Sequence, residues 1–200
     1  LGYNENDKLL IIHADDVGLS KSVNESTFES FNNKSITSAS IIMNTYEMEE
    51  GVKFAAENPN YDFGVHLTVT SEWKYHKWGG ILDKAKTPSL HNSINNFYWN
   101  KRRFVKNADL REIKMELQAQ ISLAKSMGLK PSHIDSHEGA LFFDPNIFKI
   151  YIDLAVENDL LAFVPIEASM HFNGELEKPS NAVIIDQFHM LHGGTKVEDI

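Results

Sequence analysis

The chain has 200 residues, of which 42% are hydrophobic, 10% aromatic and 24% charged, and it contains no cysteine. That composition excludes a disordered or membrane class, and it leaves neither a disulfide scaffold nor a thiolate metal site. A formal net charge of −9 argues against a nucleic-acid backbone as partner and is compatible with a neutral or cationic ligand such as a sugar.

No apolar run approaches the roughly 18 residues of a membrane span, and no signal peptide is visible. The start at Leu1 rather than Met leaves a removed upstream segment open, so cytoplasmic and exported locations both stay open. In chain order, Leu9 to Ile12 reads as a buried strand that ends in two adjacent acids, Asp15 and Asp16, followed by Gly18. A helix follows at about Val23 to Asn32, capped by Ser20 or Ser22, with Val23, Thr27, Phe28 and Phe31 on one face. Ile36 to Met43 reads as the second strand, Glu47 to Glu57 as a short helix closed by Asn58-Pro59, and Tyr61 to Thr70 as the third strand, carrying His66.

Residues 71–108 hold all three tryptophans, Trp73, Trp78 and Trp99, without a sustained period, and read as an irregular insertion. Its aromatic rings would either stack on sugar faces or pack the loop down. Leu110, Ile113, Leu117, Ile121 and Ala124 then form a core-facing helical stripe, with Asp109 as cap and Gly128 and Pro131 beyond its end. A short strand at Pro131 to His137 leads into a polar turn, and Asp144-Pro145 opens a helix with Ile147, Ile150, Tyr151 and Leu154 inward. Leu160 to Ile166 and Ala182 to Ile185 read as two more strands.

The order β-α-β-α-β-insertion-α-β-α-β-β predicts a parallel α/β fold. Six strands are too few for a complete eight-stranded barrel of about 250 residues. Thr195-Lys-Val-Glu198 fits a helix capping box, and the chain stops two residues after it, which suggests a C-terminally truncated domain, with a frayed tail as the alternative.

Three strand ends present acid or imidazole: Asp15 and Asp16, His66, and His133-Ile-Asp135-Ser-His137. Carboxyl ends of parallel strands share one face, so these groups are expected to meet despite their separation in sequence. One Asp and two His can form a three-ligand metal site with positions left for water and substrate. Asp15 and Asp16 are neighbours on an extended chain and should point opposite ways, one binding metal and the other taking a proton. If the strand were regular, His133, Asp135 and His137 would share a face, with one ligand supported by the others.

Blander readings apply elsewhere. His13 reads as a hydrogen-bonded core residue, and His76, His91 and His171 as solvated. His189 and His192, near Gly193-Gly194, are weaker candidates for lining a site. Asp15-Asp16 could also be a charge pair at a helix N-terminus, which would not account for His66 or the His-x-Asp-x-His run.

Ile12-His-Ala-Asp-Asp-Val-Gly-Leu-Ser20, Gly64-Val-His-Leu-Thr-Val-Thr70 and Pro131-Ser-His-Ile-Asp-Ser-His137 resemble the three motifs of the YdjC-like carbohydrate deacetylases, which include chitooligosaccharide deacetylases. The resemblance implies a TIM-barrel-like (β/α) fold, distorted or incomplete in this chain, as one catalytic domain over residues 1–200. It also implies one divalent metal, with Zn²⁺ or Mg²⁺ first and Mn²⁺, Co²⁺ or Fe²⁺ behind, and hydrolysis of an N-acetyl group from an amino sugar. Carried over, Asp16, His66 and His137 would bind the metal and Asp15 would be the general base. His133 and Asp135 would support the ligands or the substrate. After His137 the chain reads Glu138-Gly-Ala-Leu-Phe142, where better-known members carry further histidines, and the more C-terminal histidine that related deacetylases use as general acid is left unplaced, a position beyond Ile200 staying open.

The expected partner is a small carbohydrate, with no nucleic acid and no membrane. Nothing in the sequence sets the oligomeric state, a homodimer included. Rival classes are a metal-independent glycosidase pairing Asp15 with Glu138 or Glu167, a sugar-binding module built on the aromatic insertion, and, for the same ligand set, a non-haem iron oxygenase.

Overall fold

The computed structural model describes residues 3, 4, 6–172 and 176–190. His192 and the Thr195–Glu198 capping box lie outside the described residues. Six parallel strands form one sheet in the order β1-β2-β3-β4-β5-β6. They are β1 (His13–Val17), β2 (Ser38–Ile41), β3 (Asp62–Leu67), β4 (His133–Ser136), β5 (Leu161–Pro165) and β6 (Ala182–Ile185). Each strand pairs with the next in sequence, as in a (β/α) barrel, whereas a doubly wound sheet reverses its order. Among the described residues β1 and β6 do not pair, so the sheet is open, as a distorted barrel would be.

The helices α1 (Lys21–Asn32), α2 (Met48–Glu57), α3 (Lys101–Asn107), α4 (Leu110–Ser126) and α5 (Pro145–Asn158) start where the sequence supplies caps. The Ser20 hydroxyl accepts the Val23 N–H, Asp109 accepts those of Arg111 and Glu112, and Asp144 accepts those of Asn146 and Ile147 ahead of the Pro145 turn. On α4 the buried Ile113, Leu117, Ile121 and Ala124 follow the predicted stripe, while Leu110 is exposed. No helix among the described residues is long and apolar enough to cross a membrane.

Two expectations are corrected. The run Leu9 to Ile12 precedes β1 and is not part of it, and Leu9, Leu10 and Ile11 are exposed. The reason is position: the run lies before the first residue of an edge strand, and Ile12 is tied to the neighbouring chain at its end, its N–H donating to Thr37 Oγ1 and its carbonyl accepting the Thr37 and Ser38 N–H groups. The insertion is also more ordered than its composition indicates. It contains α3 and a 3-10 helix at Pro88–Leu90, with bridges joining Thr70 to Tyr98 and His91 to Phe97.

The insertion's aromatics divide between core and surface. Trp78, Phe97 and Phe104 are buried in the core, whereas Trp73, Tyr75 and Trp99 are exposed. The inner end of this segment is pinned by α4. Buried Glu116 accepts the Ile81 and Leu82 N–H groups at 2.8 and 2.9 Å, and buried Gln120 bonds both the N–H and the carbonyl of Thr68 at 3.0 and 2.8 Å. A carboxylate can be buried at low cost when it accepts several N–H groups. Two polar residues one turn apart on α4 thereby fix the chain as it leaves β3.

Candidate metal centre

Asp16, His66 and His137 come together at the carboxyl ends of β1, β3 and β4. One potential ligand atom from each lies within 4.8 Å of the others. Asp16 Oδ1 is 3.0 Å from His137 Nδ1 and 3.3 Å from His66 Nε2, and the two ring nitrogens are 3.3 Å apart.

The backbone explains how Asp16 reaches this position. Its φ is +61°, in the left-handed region that a non-glycine residue rarely adopts, and the β1–β2 register shifts between Ala14 and Val17. A bulge of this kind re-aims a side chain. Gly18, with φ +93°, completes the turn and packs where a Cβ would lie 2.9 Å from Met48 Cα. Buried Asn24 ties the turn down: it accepts the Gly18 N–H at 2.7 Å and donates to the Glu47 carbonyl and the Glu50 carboxylate, each at 2.9 Å.

Each imidazole has its outward nitrogen held by a carboxylate. His66 Nδ1 is 2.8 Å from Asp135 Oδ1, and His137 Nε2 is 3.0 Å from Glu72 Oε2. The partners assign the protons: Nδ1–H of His66 and Nε2–H of His137 donate outward, leaving His66 Nε2 and His137 Nδ1 facing Asp16. Carboxylates behind imidazoles in this way orient metal ligands and raise their basicity. The donor set therefore fits a divalent cation, with two imidazole nitrogens and one carboxylate oxygen converging and their outer atoms already satisfied.

Asp135 is the hub beneath this arrangement. Its Oδ2 also accepts the Ser40 hydroxyl at 2.8 Å and lies 3.1 Å from His13 Nε2, while His13 Nδ1 is 3.1 Å from Ser38 Oγ. His13 thus takes the hydrogen-bonded role expected of it. His133, expected beside the ligands, is instead buried one level down the sheet. It stacks on Phe163 at 4.3 Å and bonds Ser132 Oγ through Nδ1 at 2.7 Å. Gly64 makes room for it, since a Cβ there would lie 2.4 Å from the His133 ring.

Electrostatics follow from these contacts. Burial opposes the charge on Asp16, but hydrogen bonds from His137 and His66 outweigh it and hold the carboxyl well below its usual range. Burial likewise opposes charge on His137, yet Asp16 and Glu72 push its pKa up to about 9. Asp135 and Asp16 raise His66 against the same penalty, and His66 and His13 hold Asp135 well below the carboxylate range. The His137 bond lowers Glu72 despite its partial burial. Burial lowers His133, keeping it neutral.

Asp15 behaves differently from its neighbour. It is exposed, yet the surrounding protein deprives its carboxyl of water, and Asp16 and Asp135 add negative charge, so its pKa is raised despite attraction from His66. The adjacent acids are thus electrostatically opposite, one lowered and one raised.

Sequence reasoning missed Glu72. It is an acid just past the end of β3, and the same strand-end argument that singled out Asp16 and His137 would have found it. The histidines expected to be solvated need correction. His91 is 4% exposed, with Nδ1 at 2.9 Å from the Thr87 carbonyl and Nε2 accepting the Gly80 N–H at 3.0 Å. His171 is half-buried with Nε2 at 2.9 Å from the Phe142 carbonyl, and His76 is half-buried between Tyr46 and Trp78. The insertion and the turn after β5 fold inward over these rings, which local polarity did not reveal. His189 is exposed.

Fold and site together define a parallel α/β protein with a carboxylate-imidazole cluster at the strand ends that could hold a metal ion. The chain belongs to the YdjC-like protein family, which it matches over residues 9–195. Among curated relatives it is 30% identical to a carbohydrate deacetylase of Clostridium beijerinckii over 76% of this chain and 58% of that protein. It is 35% identical to a carbohydrate deacetylase of Geobacillus stearothermophilus over 72% and 55%, and 30% identical to a chitooligosaccharide deacetylase of Yersinia pestis over 77% and 58%. The chain thus spans somewhat more than half the length of the curated relatives it matches. A crystal structure from Enterococcus faecalis V583, provisionally described as a cellobiose-phosphate cleavage protein, superposes with a TM-score of 0.73 at 26% identity, covering 82% of this chain and 62% of that one.

Proposed function

We propose that this chain forms the catalytic domain of a metal-dependent carbohydrate deacetylase, which hydrolyses the N-acetyl group of an amino sugar. The observation that carries this reading is the convergence of Asp16, His66 and His137 at the strand ends, with Asp135 and Glu72 behind the two imidazoles. The names of the relatives support the substrate class.

Asp16, His66 and His137 would hold the cation. Two imidazoles and a carboxylate suit Zn²⁺ better than Mg²⁺, which prefers oxygen ligands. When bound, the ion supplies Lewis acidity toward the amide carbonyl and a water acidified toward pKa ~7 in the best zinc cases. Asp15 then acts as general base. Its raised pKa and its exposure beside the triad suit a carboxylate that must take a proton and is not itself a ligand. Asp135 and Glu72 keep the imidazoles in one orientation and tautomer throughout. The water oxygen adds to the acyl carbon, the C–N bond breaks as the amine takes up a proton, and acetate is released.

The glycosidase alternative has less support. Glu167 is exposed, and Glu138 accepts the Thr70 hydroxyl at 3.3 Å. The test is metal analysis of the purified protein followed by acetate release from a panel of N-acetylated sugars. Bound metal with acetate released from none of them would remove the deacetylase reading and leave the fold intact.

A further inference from the structure

Four successive strands place polar side chains in contact beneath the triad. They are His13 on β1, Ser38 and Ser40 on β2, His66 on β3 and Asp135 on β4, and each bonds at least one of the others. Strand pleating puts Ser38 and Ser40 on one face. The parallel register sets His13 beside Ser38 and His66 beside Asp135. Ser38 and Ser40 are 2% and 0% exposed, so their hydroxyl protons must be placed within the protein.

The contacts assign those protons one by one. Asp135 is held ionised and can only accept. Ser40 Oγ makes its shortest contact, 2.8 Å, with Asp135 Oδ2, and its single proton goes there. His13 Nε2 lies 3.1 Å from both Asp135 Oδ2 and Ser40 Oγ. Neither of those atoms has a proton left to give, so Nε2 carries the hydrogen and donates. In a neutral ring Nδ1 is then bare, and it accepts the Ser38 hydroxyl at 3.1 Å. The ring is also held from the side, edge-on to His133 at 5.4 Å and to Phe163 at 5.9 Å.

Three donors therefore converge on one carboxylate: the His66 Nδ1–H on Oδ1, and the Ser40 hydroxyl and the His13 Nε2–H on Oδ2. The Cβ–Cγ torsion of an aspartate is soft, so a carboxylate held at one oxygen can turn. Bonds from β1 and β2 to the second oxygen stop that rotation and keep Oδ1 aimed at His66. The hydrogen bonds of His13 go to Ser38, Ser40 and Asp135, none of which is a candidate ligand. Its influence on the metal centre therefore runs through Asp135.

We propose that His13 is a positioning residue of the metal centre: as the Nε2–H tautomer, anchored by Ser38, it clamps the second oxygen of Asp135 and so sets how firmly His66 holds a divalent cation. This role rests on the metal-dependent reading above. It extends the support of the site from the group behind His66 to the edge strand β1.

The first test reads the tautomer. Long-range proton–nitrogen NMR correlation on the metal-free full chain should show a proton on His13 Nε2; a bare Nε2 overturns the proposal, whatever any variant does. The second compares His13→Leu with His13→Gln by competitive titration of the metal-free protein with Zn²⁺ against a chelator, alongside thermal melts. Leu removes the donor, and zinc affinity should fall roughly three- to tenfold with a cooperative melt retained. That is less than for a group bonded directly to a ligand, because the His13 side chain is 19% exposed and water can replace part of its bond. Gln carries an N–H near the position of Nε2, so its affinity should stay within about twofold of the parent. Parental zinc affinity in His13→Leu overturns the role of His13 and leaves the metal centre standing. Equal losses in both variants also overturn it, since packing of the ring rather than its N–H would then be the cause. A parent that binds no zinc removes the metal centre itself, and the deacetylase reading with it.

Discussion

Asp135→Asn is the sharpest probe of the metal centre, because it is isosteric and touches no ligand atom. The native carboxylate takes the His66 proton at 2.8 Å on Oδ1, while Oδ2 takes the Ser40 hydroxyl at 2.8 Å and faces His13 at 3.1 Å. An amide can keep its oxygen toward His66 only by turning its NH₂ toward Ser40 and His13, which must both rearrange to accept. If the amide flips instead, two donors face each other at His66, and the ring loses the orientation that points Nε2 at Asp16. In either arrangement the charge that makes His66 a better donor to a metal is gone. Carboxylates in this position are typically worth 10- to 100-fold in metal affinity, or about 1.4–2.8 kcal/mol at 1.4 kcal/mol per tenfold. The assay is competitive titration of the metal-free protein with Zn²⁺ against a chelator, alongside thermal melts without metal. The expected result is weakened metal binding with a cooperative melt retained. Wild-type zinc affinity in Asp135→Asn would refute the argument that Asp135 orients His66.

Asp16→Ala, His66→Ala and His137→Ala should each abolish stoichiometric metal, whereas Asp15→Asn should retain metal and lose turnover; elemental analysis with an acetate assay separates the two outcomes. Glu72→Gln should lower metal affinity by less than Asp135→Asn in the same chelator titration, because Glu72 is partly solvated and water can replace its bond to His137. Gly64→Ala places a Cβ against His133, with backbone strands on either side, and should destabilise the fold by about 1–3 kcal/mol in chemical denaturation. For the metal-free protein, His137 is raised from 6.5 to about 9, so its proton favours the folded state. That stabilisation is complete below pH 6.5 and is lost as the pH rises toward 9, which melts recorded between pH 6 and 10 should show as a falling midpoint that His137→Gln flattens.

The alternation of strands and helices was legible because each helix carries its own stop and start chemistry. Ser20, Asp109 and Asp144 cap helices where the sequence places them, and Ala182–Ile185 is a strand with the predicted bounds. The start of β1 was not legible. An apolar run such as Leu9–Ile12 looks alike whether it lies in the sheet or just before it, and only the pairing partner decides. The insertion misled for a similar reason. His91, Trp78 and Phe97 are buried, His91 and Phe97 against each other and against Thr87, Gly80 and Trp78 within the insertion and Trp78 against His137 beyond it, and such folding-back leaves no period in residues 71–108.

The candidate site divides in the same way. The sequence by itself determined which residue types stand at the ends of the strands, and parallel topology then brings Asp16, His66 and His137 to one face. Only tertiary structure shows how Asp16 reaches His66 and His137, because that depends on a left-handed backbone at Asp16 and a register shift in β1 that strand periodicity does not predict. It also decided that Asp135 stands behind His66, that Glu72 stands behind His137, and that His133 serves the sheet interior. Residue identity fixes what a side chain can donate or accept, whereas its role depends on the few ångströms that separate it from groups distant in sequence.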